Sequence, residues 1–180
     1  PTSSNDVYIP SGATFYPIIN NSKGSPAECK DILIAPNANI TIYPNKAMTI
    51  YGSLENNGKV IIRSTGVSGG SVHDTNEGSL IIKGNESGSG TYTIDRYISG
   101  NYWHMVSSPI TSAKASVFMN MWIRDYEESN NLWGSFISSP TIPFIVGKGY
   151  SVWTYETSEI RTFQGKINHG DISMQVQYTN

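Results

Sequence analysis

The sequence predicts an all-β protein in which a short right-handed parallel β-helix, or solenoid, packs on an antiparallel β-sandwich. Three observations predict this fold class: few charged residues, short β-rich triplets that recur in the first half, and aromatic residues concentrated in the second half. Charged residues make up only 14% of the 180 residues, while Ser, Thr, Asn and Gly are abundant. This balance favours strands joined by neutral polar turns, because exposed helices normally carry Glu, Lys and Arg.

The first half contains short β-rich triplets, each bounded by Gly, Asn, Pro or Ser, the residues that typically end strands. They lie at residues 32–34, 40–42, 48–50, 60–62, 80–82 and 92–94. Three of them begin at residues 40, 60 and 80, and are therefore 20 residues apart. A period in this range predicts stacked coils, in which each short strand pairs with equivalent strands in the coils above and below.

In such a solenoid, alternate side chains of each strand point inward. We therefore expect one continuous apolar column, to which the following residues contribute: Ile40, Ile42, Val60, Ile62, Leu80 and Ile82. The turn Asn56-Asn57-Gly58 is expected to form a corner with positive φ, which Asn and Gly tolerate best. The alternative is a β-meander, in which the same polar turn closes a hairpin.

From about Asp95 onward, aromatic residues become frequent, and all four Trp residues lie in this half. Strand-like runs such as "YWHMVSSP" and "PFIVGKGYSVWTY" continue, and only residues 112–123 are compatible with a short helix. We therefore predict two domains, a β-solenoid with an N-terminal cap at residues 1–94 and a β-sandwich at residues 95–180. The two are expected to pack directly against each other, because no acidic, basic or Pro-rich linker separates them.

Several motifs in the second half are specific enough to suggest a family. They are Arg96-Tyr97-Ile98, Trp103-His104, Ser107-Ser108-Pro109 and Gly147-Lys148-Gly149-Tyr150. Together with the order of the segments from "NDVYIPSG" to "FQGKINHGDI", they resemble a module of large secreted Bacteroidetes surface proteins that are exported by the type IX secretion system. The resemblance covers nearly the whole chain and implies an extracellular or cell-surface location. The family usually continues with a "GWNLxGNPY"-like segment, so the sandwich is expected to be truncated at its C-terminus.

These observations predict a non-catalytic structural or adhesive module of a larger secreted or cell-surface protein. The resemblance implies no catalytic residues, because the family has none that are generally assigned. The alternative function is a carbohydrate-binding module of a secreted glycan-degrading enzyme. The expected partners are other domains of the same surface protein and a polysaccharide or host or cell-surface glycan, and no cofactor is expected.

Charge and hydropathy argue against two other classes of partner. The net charge is −2, so the chain has no basic field that would hold a nucleic-acid backbone. No apolar run approaches the roughly 18 residues that predict a membrane span, so membrane insertion is not expected. The single cysteine, Cys29, cannot form an internal disulfide and is expected to be a small buried apolar residue.

The acidic residues do not predict a hydrolase, which needs two carboxylates at a defined separation or an activated nucleophile. The densest acidic group is Asp125, Glu127 and Glu128. In a strand, Asp125 and Glu127 would share a face, whereas in a polar turn they would be solvated. The solvated interpretation is favoured.

The sequence predicts no metal site. The histidines have no metal-ligand spacing; they are His73, His104 and His169. His104 is expected at the edge of the core, in hydrogen bonds with the backbone. Asp74, Asn76 and Glu77 lack the ligand spacing of a calcium loop and are expected in a surface loop between two coils.

Aromatic side chains supply the candidate binding site, because sugars stack their C–H faces on exposed Trp and Tyr rings. The candidate glycan-binding residues are Tyr102, Trp122, Tyr126 and Trp133. The alternative is that these rings fill the core of the sandwich, and for Trp122 and Trp133 both interpretations stay open. Trp103 and Trp153 lie within apolar strand patterns and are expected in the core.

Overall fold

The first half of the protein is a short solenoid, in which each of the first three coils contributes one strand to each of three sheets. The computed structural model describes residues 1–20, 27–66, 75–155 and 157–175. The first coil comprises β1 (Val7–Ile9), β2 (Ile18–Ile19) and β3 (Ala27–Cys29), and the second comprises β4 (Ile32–Ile34), β5 (Asn39–Ile42) and β6 (Ala47–Ile50). The third comprises β7 (Leu54–Asn56), β8 (Lys59–Ile62), the hairpin of β9 (Ser64–Gly66) and β10 (Thr75–Glu77), and β11 (Ser79–Ile82). The last coil begins with β12 (Glu86–Ser87) and β13 (Thr91–Ile98).

Equivalent strands of successive coils pair in parallel. The sheets have the strand orders β1-β4-β7-β12, β3-β6-β11 and β2-β5-β8-β13. Strands β5 and β8 bury every second side chain, as the pleat of a strand requires. The expected apolar column is confirmed: Ile40, Ile42, Val60 and Ile62 are buried, and Leu80 and Ile82 pack against them.

The 20-residue spacing describes the first stacking step but not the second. Ile40 lies beside Val60 in the pair β5–β8. Leu80, however, lies beside Met48 in a different sheet, and Tyr92 occupies the position next to Val60. The hairpin β9–β10 lies between β8 and β11 and lengthens the third coil, so the triplet at residue 80 is not the equivalent of those at 40 and 60.

The polar corner at residues 56–58 is closed by side-chain hydrogen bonds, and the prediction of positive φ there is wrong. Asn56 is fully buried; its Oδ1 accepts a hydrogen bond from the Gly58 N–H (3.1 Å), and its Nδ2 donates to the Thr91 carbonyl (3.3 Å). Gly58 is needed for close packing, because a Cβ atom there would lie 2.2 Å from the Ala38 carbonyl oxygen.

An antiparallel sheet forms the outer layer of the second half. Its strands are β14 (Trp103–Val106), β15 (Trp122–Glu127), β16 (Leu132–Trp133) and β17 (Tyr150–Trp153), in the order β14-β17-β15-β16. The last strand, β18 (Glu159–Gly165), pairs antiparallel with β13. Between the two layers lies a second core, which includes Ile98, Phe163, Ile123 and Val152. The predicted all-β class, a solenoid followed by an antiparallel part, is confirmed.

The predicted helix at residues 112–123 is reduced to one 3₁₀ turn at Ala115–Phe118. Asn120 has positive φ (67°), which interrupts helical geometry, and the chain then enters β15 at Trp122. No helix in the described part of the chain is long and apolar enough to cross a membrane.

Strand β13 belongs to both cores. Tyr92 lies in the solenoid core, Ile98 lies in the second core, and Ile94 packs against both. The predicted boundary between residues 94 and 95 therefore falls inside a continuous strand that joins the two halves.

Candidate binding face

Strand β15 directs alternate side chains toward the second core and toward solvent. Ile123 is buried in that core, while Trp122 and Tyr126 are exposed on the opposite face. Arg124 lies between them on this outer face, because side chains two residues apart in a strand share a face.

Neighbouring strands add aromatic rings to the same face. The register places Trp153 of β17 beside both Trp103 of β14 and Trp122 of β15, and Trp133 of β16 beside Tyr126. Residues directly opposite each other on paired strands have their side chains on one face. We call this surface the aromatic face; it consists of Trp103, Trp122, Arg124, Tyr126, Trp133, Phe136, Trp153 and Tyr155.

Contacts between rings form three groups on the aromatic face: Trp103–Trp153–Tyr155, Trp122–Phe136 and Tyr126–Trp133. Three pairs of rings meet edge to face, with centroid distances from 4.4 to 5.4 Å: Trp122–Phe136, Tyr126–Trp133 and Trp153–Tyr155. The rings of Trp103 and Trp153 are 6.2 Å apart with an interplanar angle of 38°. The edge-to-face arrangement of the first three pairs is one of the favourable geometries for aromatic rings.

Arg124 lies at the centre of the aromatic face. Its guanidinium carbon is 4.7 Å from the ring centroid of Trp103, 4.9 Å from that of Trp133 and 5.7 Å from that of Phe136. All three distances are within the range of cation–π attraction. To reach Trp103 the side chain passes over β17, where the small residue Ser151 lies opposite Arg124. The Arg124 Nε atom is buried without a hydrogen-bond partner.

Three of the four Trp residues of this face are exposed to solvent rather than packed in the core. The exposed fractions are 47% for Trp103, 41% for Trp122 and 40% for Trp133. The expectation that Trp103 lies in the core is wrong, because the inward positions of β14 are taken by His104 and Val106.

Trp153 also lies outside the second core, contrary to expectation. It is half-buried on the outer face, next to Trp103 and Tyr155. Trp153 is therefore partly buried by neighbouring aromatic rings on the surface, and not by the core.

Three of the four predicted glycan-binding residues lie together on the aromatic face: Trp122, Tyr126 and Trp133. The fourth, Tyr102, is half-buried and directly precedes β14. Sequence reasoning missed five members of the aromatic face: it did not propose Arg124, Phe136 and Tyr155, and it placed Trp103 and Trp153 in the core. The available signal was the alternation Trp122-x-Arg124-x-Tyr126, which places three side chains on one face if the segment is a strand.

The acidic residues of β15 have structural partners. Asp125 is half-buried and forms an ion pair with Lys148, and Glu127 accepts a hydrogen bond from Asn130 (2.9 Å). The prediction that Asp125 is solvated is therefore wrong, because residues 125 and 127 continue a strand instead of forming a polar turn.

His104 is buried at the edge of the core, as predicted. Its Nε2 atom accepts a hydrogen bond from the Ser99 backbone N–H (3.1 Å) and lies 2.9 Å from the Ser99 Oγ. Among the residues that the structure describes, no group of three or more His, Cys, Asp or Glu side chains is arranged to hold a metal ion.

The expectation that Asp74, Asn76 and Glu77 lie in a surface loop between two coils is wrong for the described residues Asn76 and Glu77, which belong to a strand of the hairpin β9–β10. His73 and Asp74 lie outside the described residues, whereas Asn76 and Glu77 lie in β10. Glu77 forms an ion pair with Arg96 (2.7 Å).

Cys29 is fully buried in the solenoid core, as expected for a small apolar residue. Burial raises the pKa of its thiol to about 11, with a further contribution from the charge of Asp31. The thiolate that nucleophilic chemistry requires is therefore disfavoured.

A cleft of about 340 Å³ lies between the hairpin strand β10 and strands β13 and β14. Its charged groups already have partners: Arg96 pairs with Glu77, and Asp95 pairs with Arg63. The aromatic face is consequently the stronger candidate for binding.

Comparison with known proteins identifies the family of the chain but gives no named relative. No curated protein and no solved structure matches the chain. One family model matches residues 1–180, and the chain therefore belongs to the family described as a domain of unknown function, DUF8693.

Proposed function

We propose that this chain is a non-catalytic structural and adhesive module of a larger secreted or cell-surface protein. In this proposal the solenoid and the second core form a rigid support, and the aromatic face is the surface that contacts the ligand. The observation that carries the proposal is the group of exposed Trp rings on one face of a sheet whose other face is buried.

Exposed aromatic side chains in one contiguous patch support a binding role. A soluble domain gains nothing in stability from leaving large rings in water, and such patches commonly mark interaction sites. Aromatic side chains also bring much contact area with few rotatable bonds, so ordering them on binding costs little entropy.

The pairing of the carboxylates supports a non-catalytic role. Asp125 is paired with Lys148, Asp95 with Arg63, and Glu77 with Arg96. A carboxylate that is held in an ion pair with a structural cation is less available as a general acid or base.

Secretion and display at the cell surface rest on the resemblance to type IX-exported Bacteroidetes modules. Protease treatment of intact cells that express the parent protein tests this part. We expect the module to be cleaved or released from intact cells, and its protection until lysis would contradict a surface location.

The second candidate is a carbohydrate-binding module of a glycan-degrading enzyme, favoured by the exposure of Trp122, Tyr126 and Trp133. The Tyr126 and Trp133 rings are inclined at 76° and do not form a flat platform. This geometry suits single polysaccharide chains better than flat crystalline surfaces. A glycosidase domain in the same polypeptide would favour this candidate.

Affinity gel electrophoresis against a panel of soluble polysaccharides, with a parallel assay for new reducing ends, tests the proposal. We expect retardation by at least one polysaccharide without depolymerisation, and loss of that retardation in Trp122→Ala and Trp133→Ala. Release of reducing ends by the purified module would contradict the non-catalytic assignment. Retardation that both Ala variants retain would show that the aromatic face is not the contact surface.

A further inference from the structure

Arg124 differs from the other described arginines because it forms no ion pair with a carboxylate of the described residues. Arg63 pairs with Asp95, Arg96 with Glu77, and Arg161 with Glu159. Among the described residues, the partners of the Arg124 guanidinium are aromatic rings only. Its positive charge is therefore not neutralised by the part of the protein that the structure describes.

The surrounding rings hold this charge at the surface. Arg124 is half-buried, and Nε is its only atom that is both enclosed and without a hydrogen-bond partner. The terminal nitrogens Nη1 and Nη2 have no hydrogen bond to the described residues, and neither is among the buried atoms that lack a partner, so both are accessible. A planar guanidinium that lies against aromatic rings presents its terminal N–H groups in one plane, where they match the two oxygens of a carboxylate.

We propose that the aromatic face binds a polysaccharide that carries uronic-acid carboxylates, and that Arg124 contacts the carboxylate while the adjacent rings stack on the sugar. This inference rests on the proposed function of the aromatic face as an adhesive surface. Charge complementarity selects this occupant: the hydroxyl oxygens of a neutral glycan can accept hydrogen bonds from Arg124 but leave its charge unneutralised, and covering a cation without a counter-charge is unfavourable.

The positions of the rings would let a polysaccharide chain make a charge contact with Arg124 and stacking contacts with the rings next to it. Trp133 and Trp103 lie on either side of the guanidinium, within 4.9 Å of its central carbon. Rings on both sides of the cation allow sugar units before and after the uronic acid to stack, which gives a chain more contact than a single sugar.

Polygalacturonate and its methyl ester provide the test, because they share a sugar backbone and differ in the charge of the carboxyl group. We expect the intact module to bind polygalacturonate at least about tenfold more tightly than the ester, since hydrogen bonds to charged groups are worth more than neutral ones. Arg124→Met, which keeps an apolar side chain between the rings, should abolish this preference. Arg124→Lys, which keeps the charge but not the planar donors, should retain only part of it.

Lys83→Met is the matched control, because Lys83 also lies over an aromatic ring, that of Tyr51 at 4.0 Å, but in the solenoid. The control should bind polygalacturonate as the unaltered module does. The thermal transitions of all variants are measured to confirm that they are folded.

Each contrary outcome has a separate meaning. Equal binding of acid and ester through the aromatic face would overturn the inference but leave the adhesive function standing. Tighter binding of dextran sulfate than of polygalacturonate would overturn the carboxylate assignment in favour of a sulfated ligand. Failure to bind any polysaccharide would overturn the inference together with the carbohydrate-binding alternative.

Discussion

Arg63 donates a hydrogen bond to the buried carboxylate of Asp95, with 2.9 Å between Nη1 and Oδ2. Asp95 is only 6% exposed, and its other oxygen accepts a hydrogen bond from the Thr162 hydroxyl (2.8 Å). The pair joins the end of the third-coil strand β8 to β13 and β18. Because β13 passes through both cores, this carboxylate lies where the solenoid meets the antiparallel half.

Removing the cation of this pair should destabilise the fold. Arg63→Met leaves a buried carboxylate with one partner, and we expect the free energy of unfolding to fall by about 1–3 kcal/mol. A larger loss of stability is not expected, because Arg63 is half exposed and solvent screens its charge. In a double-mutant cycle measured by denaturant unfolding, Arg63→Met should cost less in an Asp95→Asn background. Strict additivity of the two changes would contradict a direct interaction.

The inward face of the solenoid can be tested at two adjacent residues of β8. Ile62 is buried in the apolar column, whereas Ile61 points outward and is half-buried. Ile62→Ala should lower the free energy of unfolding by about 2–5 kcal/mol, because it leaves a cavity in a packed column. Ile61→Ala is the control and should cost much less. Equal losses for the two variants would show that the assigned inward face is wrong.

The solenoid could be predicted because its strands are short β-rich triplets that recur along the chain and are bounded by turn residues. The prediction that the triplets at residues 40, 60 and 80 are equivalent strands of successive coils is wrong for the triplet at 80. No local pattern shows that the hairpin β9–β10 is inserted into the third coil. The prediction of positive φ at the corner 56–58 is wrong for a similar reason. Its geometry depends on a hydrogen bond to Thr91 in the next coil, which is a tertiary contact.

The candidate site could be predicted in part. Composition pointed to Trp122, Tyr126 and Trp133, but a helical reading of residues 112–123 concealed the strand that places Arg124 between two of them. The apolar pattern around Trp103 predicts a core position, whereas the structure places its ring on the outer face. Which side of a strand faces the core depends on its pairing partners, and those were not evident from the sequence.

The buried thiol gives the protein a predictable response to alkali. The Cys29 pKa is raised from 9.0 to about 11 in the fold. A group whose pKa is raised on folding contributes stability that is fully present below the unfolded-state pKa and is lost as the pH rises through the folded-state value. The melting temperature should therefore fall between about pH 9 and 11, and less steeply in Cys29→Ala. Tyr92, whose pKa burial also raises, should account for alkaline destabilisation that remains in this variant.

Trp133→Ala and Phe118→Ala together separate a surface role from a core role. Trp133 is 40% exposed and contacts Arg124 and Tyr126, so its loss should cost only about 1–2 kcal/mol from ring and cation–π contacts. Phe118 is fully buried against Phe144 and Phe163, and its truncation should cost about 3–5 kcal/mol.

Binding should respond in the opposite order to stability. At a temperature where both variants are folded, Trp133→Ala should lose retardation in a polysaccharide affinity gel, because one of the aromatic rings beside Arg124 is missing. Phe118→Ala should keep its retardation, since Phe118 lies in the second core beneath the sheet. A large stability loss for Trp133→Ala, with binding lost only as the protein unfolds, would assign this ring to structural support and remove it from the contact surface.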